Sequence, residues 1–340
     1  TFEHYMQIQE HISLLPYNTF GIDLPAEQYT ELHDINDLPA LSTLPFTRHV
    51  LGGGSNILLV APVKGLVIRS CLNGISVVKS DEDHVWLKVH SGERWHDVVM
   101  HAVNNGWGGI ENLALIPGTA GAAPIQNIGA YGAEVKETID WVTCWHWDHK
   151  KFMVLNNMEC RFGYRDSIFK QALKGKVLIT SVVFKLSRYP VIRTTYGSIA
   201  DELKLMGITQ PGIKDVAKAV MNIRSSKLPD PAVIGNAGSF FKNPVITQVQ
   251  FTALIAAYPA MPNYPQADGS YKIPAGWLIE SCGLKGLRTG QTGVHAKQAL
   301  VLVNYGGATG SDIWKLSDAV VQTVHEKFGV KLEREVEPWQ

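Results

Sequence analysis

The stretch LALIPGTAGAAPIQNIGAYG at residues 113–132 constrains the fold of this chain more than any other part of it. An apolar run leads into a Pro-Gly turn, and the residues that follow have almost no side-chain bulk. Glycine supplies positive φ and lets the backbone approach a ligand closely, and successive N–H groups in such a loop make a concave nest for pyrophosphate oxygens. The stretch therefore reads as a dinucleotide cradle, although a buried turn packed against a helix would use the same small residues. A second loop shifts the balance toward the cradle. Gly52-Gly53-Gly54-Ser55-Asn56 lies between two strand-like apolar runs, 50–51 and 57–60. It does not open a helix with GxGxxG and has no P-loop lysine, so a nucleotide would be held by some other fold.

At 340 residues the chain exceeds a typical single core and is expected to divide into two or three domains. Lys+Arg and Asp+Glu balance at 31 each, which leaves no basic field for nucleic acid and no polybasic segment for a membrane. TFEHYMQIQEHISLL at the start lacks the basic and continuous apolar regions of a secretory signal, and no apolar run reaches the ~18 residues of a membrane helix. A cytoplasmic protein is expected. Cys71, Cys144, Cys160 and Cys282 are far apart and form no CxxC pair, so they read as reduced thiols and not as a metal or redox site. WHWDHKK at 145–151 reads as the turn of a β-hairpin, because its histidines match no recognised ligand spacing. No metal is expected.

Strand-like alternation marks 85–89, 177–186 and 299–303, and helical periodicity marks 93–105 and 213–223. The clearest helix is 311–328, with Ser311 as its cap, Ile313, Leu316, Val320, Val324 and Phe328 as one apolar stripe, and Gly329 as its end. Proline-rich turns at 228–231 and 258–265 suggest boundaries around a third block, and the chain divides near 73 and 228. This mixture lacks βαβ regularity and is α+β.

Further blocks accompany the two loops in a fixed order: YNTFG at 17–21, CRFGYRDSIFK at 160–170, SSKLPDP at 225–231, NAGSFFKNP at 236–244, NYPQADG at 263–269, AGWLIE at 275–280 and LEREVE at 332–337. Over roughly residues 14 to 337 the chain resembles the UDP-N-acetylenolpyruvoylglucosamine reductase (MurB) family of bacterial cell-wall enzymes, in the type that carries a tyrosine loop. The resemblance implies a two-part FAD-binding fold of the vanillyl-alcohol-oxidase/PCMH type, followed by an α+β substrate-binding domain. Its first part would be 1–73, with 330–340 returning to it, its second 74–227, and the substrate domain 228–329. It also implies a monomer with noncovalent FAD, reduced by NADPH, that converts UDP-N-acetylglucosamine enolpyruvate to UDP-N-acetylmuramate for peptidoglycan, and hence for cell shape and division.

Reducing an enolpyruvyl ether requires hydride at one alkene carbon and a proton at its neighbour, and no side chain donates hydride. By resemblance, hydride passes from flavin N5 to C3. The charge that develops on C2 and the carboxylate needs groups already pointing there. Arg165 of GYRDS matches the family's arginine for this task, and its planar fork suits a carboxylate; on its own it reads as a loop-ordering arginine. Glu335 matches the family's C-terminal acid. Val330, Leu332 and Val336 share parity, which leaves Lys331, Glu333 and Glu335 on the other face of a strand, ordinarily a solvated one. In a dry site Glu335 would instead become a neutral hydrogen-bond donor. Ser239 of NAGSFFKNP, otherwise a turn serine, is by resemblance the proton donor to C2.

The resemblance assigns cofactor contacts to Gly52, Gly53, Gly54, Ser55, Asn56, Pro117, Gly118, Gly121, Ala122, Gln126, Asn127, Gly129 and Tyr131. Substrate contacts fall to Tyr164, Tyr196 on a mobile loop, Lys227, Asn243 and Gln298. Two positions depart from the family pattern. Ala122-Ala123 stand where serines are common, so pyrophosphate binding leans on backbone N–H groups, and Glu337 stands where some members have arginine. Two rivals are a flavin oxidase on the same fold and a nucleotide-binding module without activity. Many such oxidases attach flavin through histidine or cysteine, and 52–60 and 113–132 contain neither.

Overall fold

The computed structural model describes residues 7–340; the first six residues of the segment read above for a secretory signal lie outside the described residues. The fold is α+β, and the chain forms two compact units. Among the described residues, one comprises 7–12, 25–54 and 64–226, the other 13–24, 55–63 and 227–340.

The first unit holds two larger sheets and a two-stranded ladder of Gly129–Ala130 with Ala133–Glu134. Strands Gln9–Ser13, Pro25–Leu32, Val63–Ser70 and Arg48–Leu51 lie side by side in that order, and the last two run parallel, with Leu51 opposite Arg69. The second sheet is fully antiparallel, in the order Lys151–Asn156, Ile139–His146, Val177–Ser187, His84–His90, Ile75–Ser80. Residues 147–150 turn the hairpin expected at WHWDHKK. The helix Trp95–Asn104 buries Trp95, Val98, Val99, Ala102 and Val103 against Leu87, Val89, Val182 and Phe184, with Trp95 meeting Phe184 edge-on at 5.6 Å. Trp145, Trp147 and Leu178 pack with Leu32, Leu66 and Ile68, so the two larger sheets of this unit share a core. At about 25 cal/mol per Å² of buried apolar surface, such large side chains stabilise the unit most.

In the second unit Gly235–Ser239, Val301–Asn304, Thr292–Val294 and Arg288–Thr289 form an antiparallel sheet. The helix Gly310–Phe328 buries Ile313, Leu316, Val320, Val324 and Phe328, and Gly329 closes it with φ 66°. Its cap is not Ser311 but Thr309, whose hydroxyl accepts from the Asp312 N–H while Asp312 answers to the Thr309 N–H. A Thr-x-x-Asp capping box satisfies two orphan donors where Ser311 would satisfy one. The first helical position has to be glycine, because a Cβ on Gly310 would stand 1.8 Å from the Leu59 carbonyl oxygen. Two strand expectations shift. Residues 299–300 remain outside the strand Val301–Asn304, and 330–336 keep the expected alternation of burial while making only an isolated bridge, Arg334 to Phe241. The regular strand begins at Glu337 and runs parallel to Ile57–Leu59.

Candidate active site

The parallel strands Arg48–Leu51 and Val63–Ser70 end at one edge, the place where ligands bind to parallel sheets. Gly52 and Gly53 follow the first strand, and Arg69 and Ser70 finish the second. The segment 116–119 is held against them by backbone bonds: Trp95 N to Gly118 O at 3.1 Å, Ala120 N to Glu93 O at 2.8 Å and Gly121 N to Ser91 O at 3.0 Å. The two loops touch backbone to backbone. A Cβ on Gly53 would lie 2.9 Å from Gly118 Cα, and one on Gly52 would lie 2.7 Å from Thr119 Oγ1.

Together these segments enclose a cavity of about 320 Å³ lined by Gly52, Gly53, Arg69, Ser70, Gly92, Arg94, His96, Ile116, Pro117, Gly118 and Thr119. Arg69 is ion-paired to Glu31 at 2.8 Å, and Arg94 lies 3.7 Å from Asp97. Burial pushes the His96 pKa down, with Arg94 adding to the shift, and its Nδ1 accepts from the Leu115 N–H at 3.2 Å. Glycines at 52, 53, 92 and 118 and the cations Arg69 and Arg94 in one lining suit a pyrophosphate, so the residues present fit a bound dinucleotide.

Of the expected cofactor residues, this cavity gathers Gly52, Gly53, Pro117 and Gly118. It also uses Arg69, Ser70, Gly92, Arg94, His96 and Thr119, which the sequence reading missed; a glycine and a cation ahead of the helical periodicity at 93–105 were the available signal. Gly121 and Ala122 spend their N–H groups internally, on Ser91 O and Thr119 O, so these two amides do not join a nest. Ser55 and Asn56 belong to the second unit.

A second cluster in the first unit surrounds Arg165. Its Nη2 donates to Gly129 O at 2.5 Å and its Nη1 to Asn127 O at 3.4 Å, while its guanidinium lies 5.4 Å from the Tyr164 ring. Asn127 is fully buried and spends its side chain on Gly163 O and the Lys136 N–H. Arg165, Asn127 and Tyr131 all have φ near +50°, and such left-handed non-glycine residues cost about 1–3 kcal/mol each and cluster at functional sites. Tyr196 is 47% exposed and covers Gly132, where a Cβ would meet its Cβ at 3.0 Å. Gln126 lies in the turn before Asn127.

In the second unit, Gly238 takes φ 66° and the ladder slips between Asn236 and Ser239, leaving Ser239 exposed at the strand end. A bulge of this kind re-aims a side chain. The Glu335 N–H donates to Phe240 O at 2.8 Å, which places Glu335 beside the residue following Ser239. Asn243 Oδ1 accepts from the Ala275 N–H at 2.9 Å, and a Cβ on the next residue, Gly276, would lie 3.4 Å from Gln298 Oε1. Asn243 and Gln298 therefore each border the start of the helix Ala275–Ser281. Lys227 is exposed at the end of the helix Ile213–Lys227.

Residues 42–148 match a family model described as an FAD binding domain, and residues 230–339 match the model for the UDP-N-acetylenolpyruvoylglucosamine reductase C-terminal domain. The fold is similar to that of the UDP-N-acetylenolpyruvylglucosamine reductase of Thermus caldophilus, with a TM-score of 0.70 and 25% identity, covering 99% of this chain and 100% of that one. The FAD-binding match and the fold shared with that reductase define a flavin-dependent oxidoreductase. Among curated proteins, the reductase of Chromobacterium violaceum is 51% identical over 335 residues, 97% of this chain and 98% of the relative. That of Flavobacterium johnsoniae is 46% identical over 334 residues, 97% and 99% of the two chains. The chain belongs to the UDP-N-acetylenolpyruvoylglucosamine reductase family. Among the described residues no helix is long and apolar enough to cross a membrane.

Proposed function

We propose that this protein binds FAD noncovalently and catalyses the NADPH-dependent reduction of UDP-N-acetylglucosamine enolpyruvate to UDP-N-acetylmuramate, in the cytoplasm and as a monomer. The observation that carries this reading is the cavity where the 52–53 and 116–119 loops meet over Arg69 and Arg94. FAD, when bound, supplies the hydride for C3 that no side chain can.

The remaining work falls to the chain's own residues. Arg165, its guanidinium oriented by two backbone carbonyls, holds the enolpyruvyl carboxylate and stabilises charge arriving there. Pre-orientation matters because a donor that need not reorganise during the reaction contributes most. Glu335 adds a hydrogen bond to the developing enolate. Ser239 gives its proton to C2, since a carbanion-like centre is basic enough to take one from an alcohol held in reach. Tyr196 closes over the sugar nucleotide with Tyr164 beside it, while Lys227, Asn243 and Gln298 bind its diphosphate and sugar.

The test is NADPH oxidation by the purified holoenzyme with and without the enolpyruvyl sugar nucleotide. Oxidation that depends on the sugar nucleotide and yields a product two hydrogens heavier is the expected result. Oxidation that consumes oxygen and ignores the sugar nucleotide would replace this reading with a flavin oxidase.

A further inference from the structure

Glu31 and His33 stand two residues apart at the end of the strand Pro25–Leu32, and Arg69 and Cys71 stand two apart at the end of the neighbouring strand Val63–Ser70. Extended chain puts alternate residues on one face. The Cys71 N–H donates to Leu32 O at 2.9 Å, which seats Cys71 beside Glu31 and His33. Cys71 has no CxxC partner in sequence, but the adjacent strand supplies other ligands. Among the described residues, a carboxylate oxygen of Glu31, a ring nitrogen of His33 and Cys71 Sγ converge within 4.8 Å of one another. Glu31 Oε2 meets His33 Nε2 at 3.1 Å, while Oε1 accepts from Arg69 at 2.8 Å and from the Tyr29 hydroxyl at 2.9 Å. Burial opposes ionisation of Glu31, yet the bonds from Tyr29, Arg69 and His33 hold its carboxyl below the ordinary value. Burial pushes the Cys71 thiol up, Arg69 draws it down and Glu31 raises it again. The thiol therefore keeps its proton near neutral pH unless a metal ion displaces it.

We propose that Glu31, His33 and Cys71 form a binding site for a thiophilic divalent cation of the zinc class. Thiolate, imidazole and carboxylate together suit such an ion, whereas magnesium and calcium take oxygen ligands. Tetrahedral bonds of about 2.0–2.3 Å put neighbouring ligand atoms roughly 3.3–3.6 Å apart, so the widest separation has to close by roughly 1 Å. The Glu31–His33 pair is already that close. His33 is exposed, and Glu31 and Cys71 are half-buried, so an ion reaches the site from solvent. On binding, the S–H bond breaks, a sulfur–metal bond forms and the proton passes to the buffer; no electron changes hands. Water takes the fourth position, as in zinc sites with three protein ligands. None of the three side chains lines the glycine cavity, and the inference does not rest on the proposed function.

The test is zinc binding to the reduced, chelator-stripped holoenzyme, without an affinity tag, for wild type, His33→Ala and Cys71→Ser. Wild type should bind one zinc per chain and melt at a higher temperature with it, because an ion that binds the folded chain stabilises that state. Magnesium at the same concentration should do neither. Loss of an outer-shell partner costs a metal site about 10–100-fold in affinity, so loss of a direct ligand in either variant should cost about a hundredfold or more. X-ray absorption at the zinc edge of the wild-type complex should show one sulfur neighbour at about 2.3 Å. Wild type that takes up no zinc overturns the proposal. So does zinc held as tightly by either variant, which would place the ion on other surface groups. A zinc edge without sulfur, which would leave only a histidine–carboxylate contact, or equal stabilisation by magnesium would overturn it as well. His33 is exposed, so the His33→Ala arm reads the site even if Cys71→Ser fails to fold.

Discussion

The side-chain amide of Asn56 donates to the main-chain carbonyl of Glu335 at 3.1 Å, across 279 residues of sequence. The Glu337 N–H returns to the Asn56 carbonyl at 3.0 Å. The last residue of the glycine loop therefore clamps the segment that carries the proposed acid. Asn56→Ala is expected to cost about 0.5–1.5 kcal/mol of stability and to lower kcat several-fold, with flavin content unchanged. Thermal melts and steady-state kinetics check this. Lost flavin with normal turnover of the flavin-replete enzyme would instead tie Asn56 to the cofactor.

Gly53→Ala should abolish or severely weaken FAD retention. Its Cβ would stand 2.9 Å from Gly118 Cα, a backbone atom that cannot swing aside, so the loops must part. Gly52→Ala should be milder, because the obstructing atom at 2.7 Å is the Thr119 hydroxyl, which can change rotamer. The ratio of flavin to protein absorbance after gel filtration orders the two variants, and equal flavin content in both would refute the close-approach argument.

Ser239→Ala should leave stability almost unchanged, since the side chain is exposed. NADPH-dependent flavin reduction should persist, while reoxidation by the sugar nucleotide slows by more than the ~10²-fold lower end for general acid catalysis. Stopped-flow measurement of the separate half-reactions reads this directly. Equal losses in both halves would assign Ser239 a structural role.

The holoenzyme should lose stability as the pH falls below about 6.5, the ordinary histidine value, through His96. Burial lowers its folded pKa, so the unfolded chain takes up a proton first as pH falls. The His96 contribution is fully present above the unfolded value and is lost on the acid side, where protonation also breaks the acceptor bond from the Leu115 N–H. His96→Gln should flatten the melting-temperature profile between neutral pH and the folded pKa. An unaltered slope would show that His96 is not the titrating group.

Local pattern determined a good part of this protein. The stripe from Ile313 to Phe328 and the closing Gly329 could be read directly, because helix periodicity and a left-handed cap are properties of neighbouring residues. The turn at 147–150 and the strands flanking Gly52 were legible for the same reason. Ordered blocks such as CRFGYRDSIFK and NAGSFFKNP also marked Arg165 and Ser239 as candidates. What only the tertiary structure decided are matters of distance between remote segments. Arg69, Arg94 and His96 line the cavity because two parallel strands end beside the start of the helix Trp95–Asn104. Gly121 and Ala122 spend their amides on Ser91 and Thr119, although their composition resembles that of the lining glycines. Cys71 looks like an isolated thiol until the neighbouring strand sets Glu31 and His33 beside it. Sequence fixes which groups a chain carries, but desolvation and hydrogen-bond supply depend on what folding brings alongside them.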